Sequence, residues 1–282
     1  MQLAGRNECT VVLSSGRRSA REPVAADRPR PILWFRDIKL SVGPRRLSES
    51  FGTKNMKISD VDVAKAVIAH EAVDCFLAKE ESASKQPTNL LSCTGGVFWG
   101  KAGEEWPRSA NDKPLIPWLQ IVCSEMKGLY GPFYRREVVT FFIHEEFSEA
   151  EATSKPDAAD FVVREYRLGE KLAPLERPAG LERHKFHRVA WQKTSDYPSI
   201  SKYHGLFEDS VYSALCDDKR LKFVNHSGIK IGGWPTPVQS PQRYPGEFDL
   251  QIDMTENYMY GDSGVGYLSA NGGTWYLLFE CC

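Results

Sequence analysis

The sequence predicts an α+β fold that is mainly β, internally duplicated into two β lobes with flanking helices. Three observations carry that prediction. The segments Leu119–Gly131 (LQIVCSEMKGLYG) and Leu250–Gly261 (LQIDMTENYMYG), 131 residues apart, read almost as copies. Each comes after a Gly-Gly-aromatic stretch, Gly95-Gly96 with Phe98 and Trp99 before the first and Gly232-Gly233-Trp234-Pro235 before the second. From Phe248 onward, short β-branched and aromatic runs alternate with glycine turns, the pattern of a β-meander. A recurring unit of glycine turn, polar loop, LQI strand and closing glycine turn implies two similar β units around one core.

The elements are taken in chain order. Residues 1–55 are rich in Arg, Pro, Ser and Gly without sustained apolar periodicity, and are expected to be disordered except for Ile32–Leu40, a short strand or docking segment. Met56 is expected to be the true start, with a tag-like extension or upstream translation start before it. Ser59 with Asp62 resembles a capping box, and Val63, Val67, Val73, Phe76 and Leu77 give an apolar stripe, so a helix is predicted over Asp60–Ala78 with His70 near its packed face. Strands are predicted at Leu115–Val122, Val138–Ile143, Phe161–Arg167 and Phe186–Trp191, with an acidic surface loop from Glu145 to Pro156. Tyr203, Phe207, Val211 and Leu215, four apart, predict a second helix over Ser199–Cys216. Strands at Phe248–Asp253, Val265–Ser269 and Thr274–Phe279 complete the meander. Residues 56–282 then form one domain, with lobes over about 56–150 and 157–282.

Composition narrows the partners. The formal net charge of −1 hides an asymmetry: residues 1–55 hold 11 Lys and Arg against 5 Asp and Glu, which leaves 25 basic against 32 acidic in the rest. An acidic body disfavours nucleic acid and suits a basic protein partner. No apolar run is long enough to span a bilayer, so no membrane partner is expected, and a cytoplasmic location is the default. The seven cysteines lack C-x-x-C spacing and are read as reduced thiols; zinc and a disulfide scaffold are not expected.

Gly232–Pro235, Gln239, Phe248–Asp253 (FDLQID) and Tyr260–Leu268 (YGDSGVGYL) together resemble the C-terminal signature of the YwqG-like family, a domain of unknown function. Gly95-Gly96, Glu105-Trp106-Pro107, Pro114-Leu115, Leu119-Gln120-Ile121 and the VVTFFI strand are similar to that family's first half, so the resemblance covers roughly residues 90–282. Two positions depart from it. Val97-Phe98-Trp99-Gly100 stands where family members usually have a Pro-rich turn, and Ile229 rather than histidine precedes Lys230, with His226 four residues earlier. The resemblance implies a mainly β, duplicated fold and a setting near bacterial toxin systems; it supplies no established activity.

Five residues stand out as candidate ligand or partner contacts: Trp106, Gln120, Trp234, Gln251 and Asp262. Trp106 and Trp234 lie beside proline in glycine-rich loops, where a partly exposed ring would anchor a partner. Gln120 and Gln251 occupy equivalent places in the repeat, and a buried amide there either clamps the backbone of the neighbouring lobe or meets a ligand. Asp262 sits between glycines at a hairpin mouth, as an Asx-turn residue or a ligand acceptor. His184 and His187, three apart without a carboxylate or cysteine at ligand spacing, are read as part of a solvated loop rather than a metal site. The G-x-S-x-G elbow and the P-loop are missing, and the Gly261–Gly266 run belongs to a hairpin with no succeeding helix to hold phosphate. The expectation is therefore a non-catalytic protein-binding module, immunity or antitoxin-like, with no catalytic residue, cofactor or metal. The alternative is a small-molecule binder or enzyme using a cleft between the lobes.

Overall fold

The computed structural model describes residues 57–83, 88–129, 131–145, 161–218, 221–238, 247–258, 263–271 and 273–280. The N-terminal arm, Met56, most of the acidic stretch after Glu145, Gln239, Tyr260 to Asp262, and Cys281-Cys282 lie outside the described residues.

The protein is mainly β, with a single ten-stranded antiparallel sheet at its centre. Its middle is a long ribbon of β1 (Val73–Ser82) and β8 (His187–Asp196), paired from Val73 opposite Asp196 to Ser82 opposite His187. Beyond β8 come β2 (Cys93–Thr94), β4 (Ile116–Val122), β5 (Arg136–Ile143) and β6 (Phe161–Arg167). Beyond β1 come β9 (Lys230–Gly232), β10 (Glu247–Ile252), β11 (Val265–Asn271) and β12 (Thr274–Glu280). A separate two-stranded ribbon pairs β3 (Trp99–Lys101) with β7 (Leu172–Pro174).

The two outer meanders match in register. Cys93 faces Gln120 across β2 and β4, and Lys230 faces Gln251 across β9 and β10. The β4–β5 ladder shifts register between Pro117 and Leu119, and the β10–β11 ladder shifts between Phe248 and Leu250, immediately before the LQI leucine in each case. A bulge at this point bends the strand and strengthens its twist.

That curvature brings the sheet's edges together, and the sheet nearly closes on itself. Trp275 of β12 donates its indole N–H to Glu165 of β6 at 2.8 Å, and Glu165 also accepts Arg136 at 2.6 Å. Phe133 and Phe141 set their rings edge-on to Trp275, at 5.8 and 5.6 Å between centroids. Trp118 reaches across to β11, where a Cβ on Gly266 would stand 2.7 Å from its ring. The enclosed core holds Leu119, Ile121, Val139, Phe141, Leu250, Ile252, Leu268 and Leu277.

The two helices differ from their sequence-based expectation. The first, α1, runs Val61–His70 and is capped by Asp60, whose carboxylate accepts the Asp62 and Val63 amides; Ser59 is not the cap. It ends eight residues before the predicted Ala78, because Val73–Ser82 is claimed by pairing with β8 and β9 on both sides. His70 is exposed rather than packed. The second splits into a 3-10 turn at Ile200–Tyr203 and α2, Asp209–Asp217. Gly205 at φ +88° lies between them, a conformation no helix contains. Tyr203, Phe207, Val211 and Leu215 still share one apolar cluster, with Ala64 and Ile68 of α1. His187, read as part of a solvated loop, is buried as the first residue of β8 and lies 3.3 Å from the Ser82 hydroxyl, and Phe186, predicted to open that strand, is buried just before it.

Candidate functional site

Each outer meander begins with a glycine pair in the left-handed region: Gly95 and Gly96 at φ +63° and +72°, Gly232 and Gly233 at +69° and +78°. A side chain is excluded by contact as well as by conformation. A Cβ at Gly95 would stand 2.3 Å from the Lys185 carbonyl, and one at Gly233 would stand 2.4 Å from the Asp196 carboxylate.

A buried glutamine fixes each loop. Gln120 accepts the Trp99 amide at 2.7 Å and donates to the Leu91 carbonyl at 2.8 Å. Gln251 accepts the Thr236 amide at 2.9 Å and donates to the Gly228 carbonyl at 3.0 Å. The bridged backbone groups are eight residues apart in both cases. Each glutamine thus ties the loop of its own meander rather than a neighbouring lobe. The loops leave opposite ends of the central ribbon, since Gly232 pairs with Cys75 and Thr94 lies level with Ser82. Seven residues of strand put about 23 Å between them, so Gln120 and Gln251 do not meet in one cleft.

The second loop closes over an ion pair. Lys230 and Asp196 have no exposed side-chain surface and meet at 3.0 Å. The Lys230 ammonium also donates to the His226 carbonyl at 2.5 Å and to the Thr236 hydroxyl at 2.9 Å, so all three protons have acceptors. Asp196 further accepts the His226 amide at 2.8 Å and the Trp234 amide at 2.7 Å. Burial pulls the Lys230 pKa below the usual lysine value, and Asp196 only partly restores it. The same carboxylate, added to burial, pushes the neighbouring Cys75 thiol up to about 12. Trp234 itself is half-buried: its indole donates to the Glu71 carbonyl at 2.8 Å, and the Lys202 ammonium lies 3.8 Å from its ring centroid, paired with the Glu71 carboxylate.

The first loop is open by comparison. It borders a cavity of about 320 Å³ with an apolar floor of Phe98, Trp106, Leu175 and Phe186 and three basic side chains, Arg177, Arg183 and His184. Trp106 is only 8% exposed; it donates to the Leu115 carbonyl at 2.8 Å and forms a T-shaped pair with the Phe142 ring. Val97 occupies the place after the glycine pair that Trp234 holds in the second loop, and is 42% exposed. The His184 ring lies 4.1 Å from that of Tyr258 between centroids, tilted by 45°, and burial lowers its pKa, with Glu182 opposing that shift.

Four of the five sequence candidates are thus scaffold-bonded around the two glycine loops, and Asp262 lies outside the described residues. Sequence reasoning missed Asp196, Arg177 and Arg183, which sit at a strand end or in an irregular segment with no periodic signal. Among the described residues no group of three or more His, Cys, Asp or Glu is placed to hold a metal ion, and no helix is long and apolar enough to cross a membrane.

No curated protein matches the chain. A family described as a domain of unknown function, DUF1963, matches residues 92–271, which run from the strand before the first glycine loop to the end of β11. That span covers both glycine loops and both glutamine clamps, and the chain belongs to this family.

Proposed function

We propose that this domain is a non-catalytic protein-binding module, of the immunity or antitoxin-like kind, whose partner is a basic protein such as a toxin. The observation that carries this reading is that the polar groups of the Lys230–Asp196 pair and of the two glutamine clamps are taken up by the scaffold. The Lys230 ammonium has three acceptors, and both glutamines are bonded to backbone at either end of a loop. A lysine or carboxylate held in this way has neither a free lone pair nor a free proton to offer a substrate. Cys75 and Cys123, pushed up to about 12 mainly by burial, are neutral thiols and poor nucleophiles. The excess of 32 acidic over 25 basic residues after residue 55 sets the charge of the partner.

To this reading belong a YwqG-like identity, a cytoplasmic setting, and an internal duplication whose units are β2 with β4–β6 and β9–β12, flanked by the helices. Supporting the duplication are the paired left-handed glycines, the matched glutamine clamps and the bulges at equivalent places before Leu119 and Leu250. The test is a pull-down of the full chain from native lysate at physiological salt, read by mass spectrometry, with calorimetry on the purified pair. One stoichiometric basic protein, whose affinity falls with added salt, is the expected result. Recovery of no specific protein sinks the reading.

The alternative of small-molecule binding is favoured by one observation, the basic-rimmed cavity at the first loop. It does not depend on a cleft between the meanders.

A further inference from the structure

The cavity at the first glycine loop joins two chemistries that point to one class of ligand. Its floor is aromatic and aliphatic, from Phe98, Trp106, Leu175 and Phe186. Among the described residues its lining carries two guanidinium groups and an imidazole and no carboxylate. At about 320 Å³ it matches the lower end of the range for small-molecule sites, roughly 300 Å³ and upward.

Arg177 adds an independent observation. Its Nη2 is buried and makes no hydrogen bond to the protein. A guanidinium keeps its charge at any physiological pH, so an Nη2 group buried without a partner on the half-buried Arg177, with the exposed Arg183 on the same lining, has a cost that an oxyanion with acceptor oxygens offsets directly. The position after the glycine pair reinforces this. In the second loop Trp234 covers its site and is itself covered by Lys202. In the first loop the smaller Val97 leaves the basic groups reachable.

We propose that this cavity binds a small organic anion. A carboxylate or phosphate head group is held by Arg177 and Arg183, and a short apolar or aromatic body lies on Phe98, Trp106, Leu175 and Phe186. This goes beyond the protein-partner reading and does not rest on it: the pull-down and the experiment below fail separately.

The test uses the full chain and three probes: 3-phenylpropionate, phenyl phosphate and the neutral 3-phenylpropan-1-ol. Binding is tracked by amide chemical shifts and calorimetry. The expected result is saturable binding of at least one anion, with shifts at Gly96 to Phe98 and His184, and at least about tenfold weaker binding of the alcohol. Whichever anion binds more tightly identifies the head group. Arg177→Gln and Arg183→Gln should each weaken the anion about tenfold or more. Val97→Trp should abolish binding by filling the cavity, with the melting temperature kept, which separates loss of the site from loss of the fold. Three results overturn the proposal: alcohol and anions bind equally, Arg177→Gln binds as the wild type does, or no probe saturates up to about 10 mM.

Discussion

Replacing Lys230 by methionine tests whether the second glycine loop is held by its buried ion pair. Methionine keeps most of the volume and loses the charge, so the change isolates electrostatics from packing. In the wild type Asp196 accepts three hydrogen bonds, from Lys230 at 3.0 Å, the His226 amide at 2.8 Å and the Trp234 amide at 2.7 Å. The variant leaves the two amide bonds and removes the paired cation, so a fully buried carboxylate remains with partial compensation. Breaking a buried pair from one side typically costs about 3–5 kcal/mol, and the two amides set the expectation near 3 kcal/mol. In urea that lowers the unfolding midpoint by about 1–1.5 M at a slope of 2–3 kcal/mol/M. Adding Asp196→Asn should recover part of the loss, with a coupling of about 2 kcal/mol in the double-mutant cycle. The pH dependence has a definite sign. Burial, the larger effect, lowers the folded-state pKa of Lys230, with Asp196 opposing it. Between that lowered value and about 10.5, the unfolded chain binds more protons than the folded one, so wild-type stability rises with pH through this window relative to the variant. A loss under about 1 kcal/mol for Lys230→Met, or strict additivity in the cycle, would refute the reasoning.

The remaining predictions concern the loops and the thiols. Gln120→Ala and Gln251→Ala each orphan one part-buried amide and one part-buried carbonyl, so each should cost about 2 kcal/mol by chemical denaturation; one large loss and one below about 1 kcal/mol would deny that the clamps are equivalent. Gly95→Ala and Gly233→Ala should lose more than about 2 kcal/mol, since strain and contact add, whereas Gly103→Ala, at φ +77° with open space around it, should lose only about 1 kcal/mol in thermal unfolding. Equal losses at all three would rule out a contribution from contact. Cys75, Cys93 and Cys123 should resist a thiol-specific disulfide reagent at about pH 8 until the chain unfolds, while exposed Cys216 reacts, as mapped by peptide mass. Because the Cys75 and Cys123 pKa values are raised from 9.0 to about 12, the stability they contribute is intact below pH 9 and lost as pH climbs towards 12; a pH profile of stability identical for the wild type and the Cys75→Ala/Cys123→Ala variant across that range contradicts the assignment.

The features legible in the sequence were local and repeated. The run Val138–Ile143 is dense enough in β-branched and aromatic residues to name its strand, and it does form most of β5. The matched LQI segments located both glutamines before any contact was known, because a polar residue inside an apolar strand must bond something fixed. The failures are non-local. Val73, Phe76 and Leu77 continue the helical stripe of α1, yet Val73 pairs with β8 while Phe76 and Leu77 lie between β8 and β9, and ladder pairing outweighs a spacing that favours helix only weakly. Asp196 and Lys230 are 34 residues apart in segments of no marked character, and only the fold makes them partners.

Differences between the two glycine loops explain why the first borders an open cavity and the second is closed. Both have a left-handed glycine pair and a glutamine tie, so the backbone scaffold is alike. They differ in the residue after the glycines and in the groups beneath. Trp234 is large enough to reach the Glu71 carbonyl and to carry the Lys202 ammonium on its face, and the strand residue opposite Gln251, Lys230, neutralises Asp196 under the loop. The second loop therefore supplies its own cations and its own anion. At the first loop the residue after the glycines is Val97, the strand residue opposite Gln120 is the neutral Cys93, and the nearby cations are Arg177 and Arg183. Burial there lowers the Arg177 pKa; Tyr258 opposes that shift and Arg183 adds to it. Charge is balanced internally at the second loop, whereas the proposal for the first has an anion from outside meet Arg177 and Arg183, so Val97→Trp should close the first site without unfolding the sheet that both loops share.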